Sequence, residues 1–285
     1  MPEGRDQPFV DAAVSSGRLH KALQEGLENA TCRLTAHDLE GLVARQNGWP
    51  RRRVRQAIRD LIVQGVLEYI YIFGQTYLEL SFHHPVDVSP RFTIVPPTTT
   101  IASDQTDRHY LTIAPGASFG CGRHATTRLA LHALETAWDC LQGFQWKTPP
   151  AVIDIGTGSG ILAIAAACLG AAPVVALDID TCARSEARQN IHMNAKAAAI
   201  TVSGQSLESV HREFNMVMAN LRLPTLVSYA GWMRVHLRPP GCAVVSGFRK
   251  EEWMRLQKVF EQQGFDTLGY LDRQGWAAAA FSCLT

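Results

Sequence analysis

The sequence predicts an α/β fold in which a seven-stranded, mostly parallel sheet follows a smaller N-terminal domain. From Ala151 onward, apolar β-type runs alternate with helical runs, which is typical of a parallel sheet with helices on both faces. Only the turn residues 272–275 separate the last two runs, which predicts an antiparallel pair. Ahead of the sheet, three amphipathic helical runs precede a hairpin pattern.

The order of three helices and a hairpin is typical of a winged helix, so residues 1–84 are predicted to form a winged-helix-like domain. The first helix is predicted from Ser16, the second with Thr35 as its N-cap, and the third with Pro50 in its first turn. The hairpin turn is predicted at Phe73-Gly74-Gln75-Thr76.

Four prolines mark the segment that follows the hairpin. It is predicted to be an extended linker or edge strand over residues 85–108. The sheet domain is then predicted to occupy residues 109–285.

The third helix carries five arginines, at positions 51, 52, 53, 55 and 59. A winged helix often places this helix in the major groove of DNA, so nucleic-acid binding is one hypothesis. The alternative is a protein-docking module with a solvated basic face. Through Val95 there are 11 Lys and Arg and 11 Asp and Glu residues. Since phosphate binding needs local positive charge, this neutral total favours the alternative.

The composition, with 46% hydrophobic residues and a formal net charge of +1, predicts a packed core and no general attraction to nucleic acid or membrane. The first residues mix charges and lack an apolar segment, so no signal peptide is expected. No apolar run is long enough to span a bilayer. Seven scattered cysteines without CxxC pairs favour free thiols and a cytoplasmic location.

A glycine-rich turn, Asp154-Ile155-Gly156-Thr157-Gly158-Ser159-Gly160, follows the first strand of the sheet. It is neither a dinucleotide fingerprint nor a phosphate-binding P-loop, because the last glycine and the Lys-Ser/Thr of those motifs are missing. Asp178 ends the second strand, where a carboxylate can accept both hydroxyls of a ribose. Asp154 is predicted either to accept turn N–H groups or to bind a ligand amino group. Together these features fit S-adenosylmethionine.

Six stretches resemble, in order and spacing, the ribosomal-protein lysine methyltransferases of the PrmA type: FGCGRHATTRLAL, VIDIGTGSGILAIAA, VALDID, EARQNIHMN, VMANL and LRPPGCAVVSGF. The resemblance covers about residues 114–284. It implies a class I, Rossmann-like methyltransferase that uses S-adenosylmethionine. The residues that it implies for the cofactor are Phe119, Gly120, Thr126 and Thr127 beside the cofactor and the acceptor, Asp154, Gly156, Thr157, Gly158 and Gly160 at the methionine end, and Asp178 and Ile179 at the ribose.

The resemblance further implies that Gln205 and Ser206 lie near the adenine and that Asn220 holds both the cofactor and the acceptor amine. The sequence departs from the family in three places. The winged-helix-like segment replaces a small α/β domain. Gln205 stands where the family usually has an acidic residue. Arg222 places a cation beside the acceptor site, where a neutral or acidic acceptor is better tolerated than a cationic lysine.

His124 is interpreted in two ways, as a base that removes the acceptor's proton or as a cap of the following helix. With Cys121 it supplies only two metal ligands where zinc needs three or four, so no metal is expected. The leading hypothesis is an enzyme that methylates protein amines, on lysine or the N-terminus. The alternatives are a small-molecule methyltransferase whose N-terminal domain forms a homodimer, and a nucleic-acid-binding regulator that senses the cofactor.

Overall fold

The structure is a computed structural model of the 285-residue chain, and it describes residues 7–28, 30, 32–72, 74–99, 108–144 and 147–283. The backbone contacts divide the chain into two units, Met1–His84 and Pro85–Thr285. Phe73 of the predicted turn, residues 100–107 of the linker segment and the two C-terminal residues lie outside the described part, as do the first six residues.

Three helices and an antiparallel hairpin make up the described part of the first unit. They are α1 (Gln7–Glu28), α2 (Ala36–Asn47), α3 (Arg51–Val63), β1 (Leu67–Ile72) and β2 (Gln75–Leu80). The predicted N-cap of α2 is confirmed, since the Thr35 hydroxyl accepts the N–H of Asp38 and the Asp38 carboxylate accepts the N–H of Thr35. Helix α1 begins at Gln7, well before the predicted Ser16. Between these two residues only Pro8 opposes helix formation, and proline is tolerated in the first turn of a helix.

A buried carboxylate joins α2 to α3. Glu40 is 3% exposed and binds Arg51 at 2.8 Å and Arg55 at 2.6 Å. The Arg55 guanidinium, followed by Arg51, holds the pKa of Glu40 below its usual range against the opposing effect of burial. The single carboxylate of Glu40 therefore binds two of the five arginines that suggested nucleic-acid binding and offsets one of their two positive charges.

The second unit begins with a small sheet of β3 (Val86–Asp87), β4 (Phe92–Val95) and β5 (His109–Thr112). The segment predicted as linker or edge strand thus contributes two short strands. The elements that follow are α4 (Ala125–Gln142), β6 (Val152–Ile155), α5 (Ile161–Leu169), β7 (Val174–Leu177), α6 (Thr181–Met193), β8 (Ile200–Ser203), β9 (Phe214–Asn220), α7 (Leu223–His236), β10 (Leu237–Arg249), α8 (Trp253–Gln262), β11 (Asp266–Arg273) and β12 (Trp276–Cys283).

The large sheet has the order β11-β12-β10-β9-β6-β7-β8, which confirms the predicted seven strands. Strands β8, β7, β6, β9 and β10 are parallel, and β12 runs antiparallel to both β10 and β11, as predicted for the last pair. The chain winds outward in opposite directions from β6 and β9. Ligands bind at such a switch point, beyond the carboxyl ends of the strands.

Apolar residues of the strands and of α7 and α8 form the core beside this switch point. Phe214, Phe248, Phe260 and Phe281 are each at most 1% exposed, and the rings of Phe260 and Phe281 stack at 4.5 Å. Burial of each ring stabilises the fold by about 1.5–3 kcal/mol. This packing holds the strands whose carboxyl ends form the switch point. Among the described helices, none is long and apolar enough to cross a membrane.

Candidate functional site

A cavity of about 620 Å³ opens where β6, β7 and β9 end. Of the residues predicted to bind a ligand, seven line it: Phe119, Gly156, Gly158, Asp178, Ile179, Gln205 and Asn220. The cavity is also lined by three residues that the sequence did not single out: Leu221, Thr225 and Tyr229. The remaining predicted residues are not part of its lining.

The glycine turn is in contact with the loop that precedes α4. The N–H of Ser159 donates to the Phe119 carbonyl at 2.9 Å, and the Ser159 hydroxyl donates to the Gly120 carbonyl at 2.8 Å. Gly158 has a φ of +54°, and a Cβ there would collide with the Phe119 carbonyl oxygen. A side chain at this position is therefore excluded both by the backbone conformation and by the neighbouring loop.

Asp154 lies beneath the turn and is 1% exposed. The Thr157 hydroxyl donates to its Oδ2 at 2.6 Å, whereas Oδ1 has no hydrogen-bond partner among the described residues. Burial raises the pKa of Asp154 to about 7. A buried carboxyl with an unused acceptor is stabilised by a cationic or N–H donating group.

Asp178 follows β7 and connects two loops. Its Oδ2 accepts the N–H of Gly158 and its Oδ1 accepts the N–H of Asp180, both at 2.9 Å. Each carboxylate oxygen keeps a further lone pair for a ligand hydroxyl. Next to it, Ile179 is 89% exposed at the cavity edge, so an apolar side chain is presented to a ligand.

Asn220, the last residue of β9, presents an amide to the cavity. Its Oδ1 is buried and has no hydrogen-bond partner in the described part of the chain. An unsatisfied buried acceptor costs about 1–3 kcal/mol, which a ligand N–H would recover. Behind it, Gly247 has a φ of +93°, and a Cβ there would lie 2.5 Å from the Leu221 carbonyl oxygen, so this glycine gives the 220–221 backbone its position.

His124 is the N-cap of α4. Its Nδ1 accepts the N–H of Thr126 at 3.3 Å and lies 2.9 Å from the Thr126 hydroxyl. This geometry assigns the ring hydrogen of the neutral form to Nε2, so the Nδ1 lone pair is occupied by the cap. The ring also contacts Phe119 and Trp276, with centroids 5.2 and 5.0 Å apart.

Five other predicted residues take supporting positions. Thr126 and Thr127 lie buried in the first turn of α4, where the Ser246 hydroxyl donates to the Thr126 carbonyl at 2.9 Å. Gly160 is in close contact with Ala187, and Gly120 faces Ser159. Ser206 precedes a short 3-10 helix and bonds to Ser209 at 3.0 Å. The Thr127 hydroxyl is the exception, because its oxygen is buried and has no hydrogen-bond partner among the described residues.

Three residues that the sequence did not mark as functional hold the segment before α4: Glu186 and Asn190 of α6, and Asn194, the C-cap of that helix. Glu186 accepts the N–H groups of Ala117 and Ser118, at 2.9 and 3.1 Å. The remaining two are asparagines: Asn190 bonds to the Ala114 N–H at 3.0 Å and the Ser159 carbonyl at 2.8 Å, and Asn194 bonds to both backbone groups of Thr112, at 2.9 and 2.7 Å. Their four-residue spacing, which places them on one helix face, was the available signal.

Comparison with known proteins identifies one matching family. The model of the family described as ribosomal protein L11 methyltransferase (PrmA) matches residues 78–282. The ribosomal protein L11 methyltransferase of Bacillus pumilus is 32% identical over 199 residues, which are 70% of this chain and 61% of that protein. The protein of the same name from Limosilactobacillus fermentum is 35% identical over 186 residues, or 65% of this chain and 56% of the relative.

Among solved structures, a ribosomal protein L11 methylase from Lactobacillus delbrueckii subsp. bulgaricus superposes with a TM-score of 0.62 at 28% identity. The superposition covers 71% of this chain and 100% of that chain. The present chain spans about three-fifths of the length of the relatives above.

Among the described residues, no group of three or more His, Cys, Asp or Glu side chains is arranged to hold a metal ion.

Proposed function

The chain belongs to the ribosomal protein L11 methyltransferase (PrmA) family, and on this premise we propose that it transfers the methyl group of S-adenosylmethionine to a protein amine. The observation that carries the proposal is the cavity at the switch point. Its lining brings the Asp178 carboxylate and the unpaired Asn220 amide oxygen to the same space, where one group suits a ribose and the other suits an amine.

The residues present fit this cofactor. A volume of about 620 Å³ lies within the usual range for small-molecule sites. Asp178 would accept the ribose hydroxyls, and the exposed Ile179 would cover one face of the adenine. Asp154, with its unused Oδ1, would attract the cationic amino group of the methionine end. Gly156 and Gly158 leave room there because they carry no side chains.

S-adenosylmethionine supplies an electrophilic methyl group when bound, and the chain supplies the positioning. Asn220 Oδ1 would accept an N–H of the acceptor amine and so aim the nitrogen lone pair at the cavity. The amine must be neutral, because an ammonium has no lone pair. The nearby cation Arg222 lowers the pKa of an amine in the site, so no dedicated base is needed, in keeping with the capping geometry of His124.

Two further proposals concern the methyl acceptor and the cellular location of the protein. The relatives are named for ribosomal protein L11, which makes L11 the first protein to test as acceptor. A cytoplasmic location agrees with seven free cysteines. A nucleic-acid acceptor is less well supported, because Glu40 binds Arg51 and Arg55 on the helix that suggested it and offsets one of their two charges.

The test combines binding and transfer. Calorimetry with S-adenosylmethionine should show binding by the purified chain, and Asp178→Ala should weaken it by about tenfold or more, as expected for loss of hydrogen bonds to a charged acceptor. Labelled cofactor should then be incubated with the chain and with either L11 or a cell lysate. Label in protein supports the proposal; label confined to nucleic acid or small molecules would refute it.

A further inference from the structure

Two arginines lie over one tryptophan near the cavity. The guanidinium carbon of Arg249 is 3.8 Å from the Trp276 ring centroid, and that of Arg222 is 5.4 Å from it. Both distances lie in the range of cation–π attraction. Since His124 contacts Trp276 on one side and Phe119 on the other, an unbroken row of side chains leads from the cavity lining to the two cations.

The sheet places these cations next to the acceptor side of the site. Arg222 lies two residues beyond Asn220, and Arg249 ends the neighbouring strand β10, in which Ser246 pairs with Asn220. Trp276 pairs with Arg249 at the start of the antiparallel strand β12. All three therefore meet at the edge of the sheet where Asn220 presents its amide.

The positive charge of this pair lies at the solvent-exposed surface. Arg222 and Arg249 are exposed, and neither forms an ion pair with any residue that the structure describes. Glu252, the second of two acids that follow Arg249 in the chain, accepts the backbone N–H of Arg249 at 2.7 Å. Stacking on Trp276 restrains both side chains, so a partner that binds them loses less conformational entropy.

On the basis of the amine methylation proposed above, we propose that the acceptor is an acidic protein segment, in which carboxylates flank the methylated amine and bind Arg222 and Arg249. A guanidinium binds a carboxylate through two parallel hydrogen bonds, whereas a basic segment would be repelled. Carboxylates beside a free lysine would raise the pKa of its amine. Ion pairing with the two arginines removes much of this effect and leaves the amine easier to deprotonate.

Peptide binding tests this inference. Three fluorescent heptapeptides carry a central lysine flanked by glutamate, serine or arginine, and anisotropy is measured with the full chain saturated with S-adenosylhomocysteine. We expect the glutamate peptide to bind about tenfold more tightly than the serine peptide, as two partly screened ion pairs allow, and the advantage to shrink as salt rises. The arginine peptide should bind most weakly.

The charge-reversed variant Arg222→Glu/Arg249→Glu should lose the preference for the glutamate peptide, and Arg255→Glu, an exposed position on α8, serves as the matched control. Calorimetry with S-adenosylhomocysteine confirms that each variant is folded. Equal binding of the glutamate and serine peptides, or an unchanged preference in the double variant, would overturn the inference. If this happens while label still enters proteins of the lysate, the proposed methylation stands and only the acidic acceptor is wrong.

Discussion

Replacing Asn190 with alanine is expected to destabilise the second unit by about 2–4 kcal/mol. The side chain is 2% exposed and satisfies the Ala114 N–H and the Ser159 carbonyl, at 3.0 and 2.8 Å. Alanine leaves both groups without this partner. A buried unsatisfied group costs about 1–3 kcal/mol, and the half-buried Ala114 N–H lies at the low end of this range. The loss should also loosen the segment before α4 against the glycine turn and so weaken cofactor binding.

Urea unfolding followed by tryptophan fluorescence measures the change. Five of the six tryptophans lie in residues 85–285, so the signal reports mainly on the unit that contains Asn190. The midpoint should fall while the slope of the transition stays unchanged, because the surface exposed on unfolding is nearly the same. Calorimetry of the folded variant then gives the effect on cofactor affinity.

Gln257→Ala is the matched control. Gln257 also donates an amide hydrogen bond, to Glu261 at 2.8 Å, but on the surface of α8, where such a pair contributes about 0.2–0.5 kcal/mol. If Asn190→Ala costs no more than Gln257→Ala, the bonds from α6 do not hold the segment and the reasoning fails.

Four further predictions concern the cavity and its surroundings. Gly158→Ala should reduce cofactor affinity by about tenfold or more by calorimetry, because the left-handed backbone and the Phe119 carbonyl both oppose a Cβ; an unchanged affinity would contradict the contact. Asn220→Ala should abolish label transfer yet keep cofactor affinity, and equal loss of both would disprove its role toward the amine. His124→Asn should keep activity within about threefold, since asparagine also caps helices well; a loss of a hundredfold or more would show that His124 moves a proton. Finally, burial raises the folded pKa of Asp154 to about 7, so the folded chain binds the proton more tightly than the unfolded chain and stability falls as pH rises from about 4 to 7. Relative to Asp154→Asn, the cofactor-free chain should lose up to about 4 kcal/mol of unfolding free energy over this pH range. Parallel pH profiles of the two unfolding midpoints would show that the pKa of Asp154 is not raised.

The local patterns of the sequence predicted the seven strands of the large sheet and the helices between them, but not the order of the strands, because alternation of apolar runs is encoded within short windows. The cap at Thr35 and the antiparallel pair of β11 and β12 were predictable for the same reason. The start of α1 was not, since nothing between Ser16 and Pro8 marks a boundary.

The site was predictable only in part. Asp178 and the glycines occupy fixed places after their strands, and so the topology brings them to the cavity. The bonds from Glu186 and Asn190 to residues 114–118 join positions roughly 70 residues apart, and pattern reasoning cannot detect such pairs. The same holds for Trp276, whose two arginine neighbours come from different elements, Arg222 from the N-cap of α7 and Arg249 from the end of β10.

Residue 158 joins three parts of the protein at a single peptide. Its N–H is held by Asp178, its Cα faces the carbonyl of Phe119, and the preceding residue is bound to Asp154. Substitutions at these positions should therefore be non-additive, since the first one already releases what the second would disturb. A scan of single variants would count the same loss several times, and only double-mutant cycles can assign each residue its share.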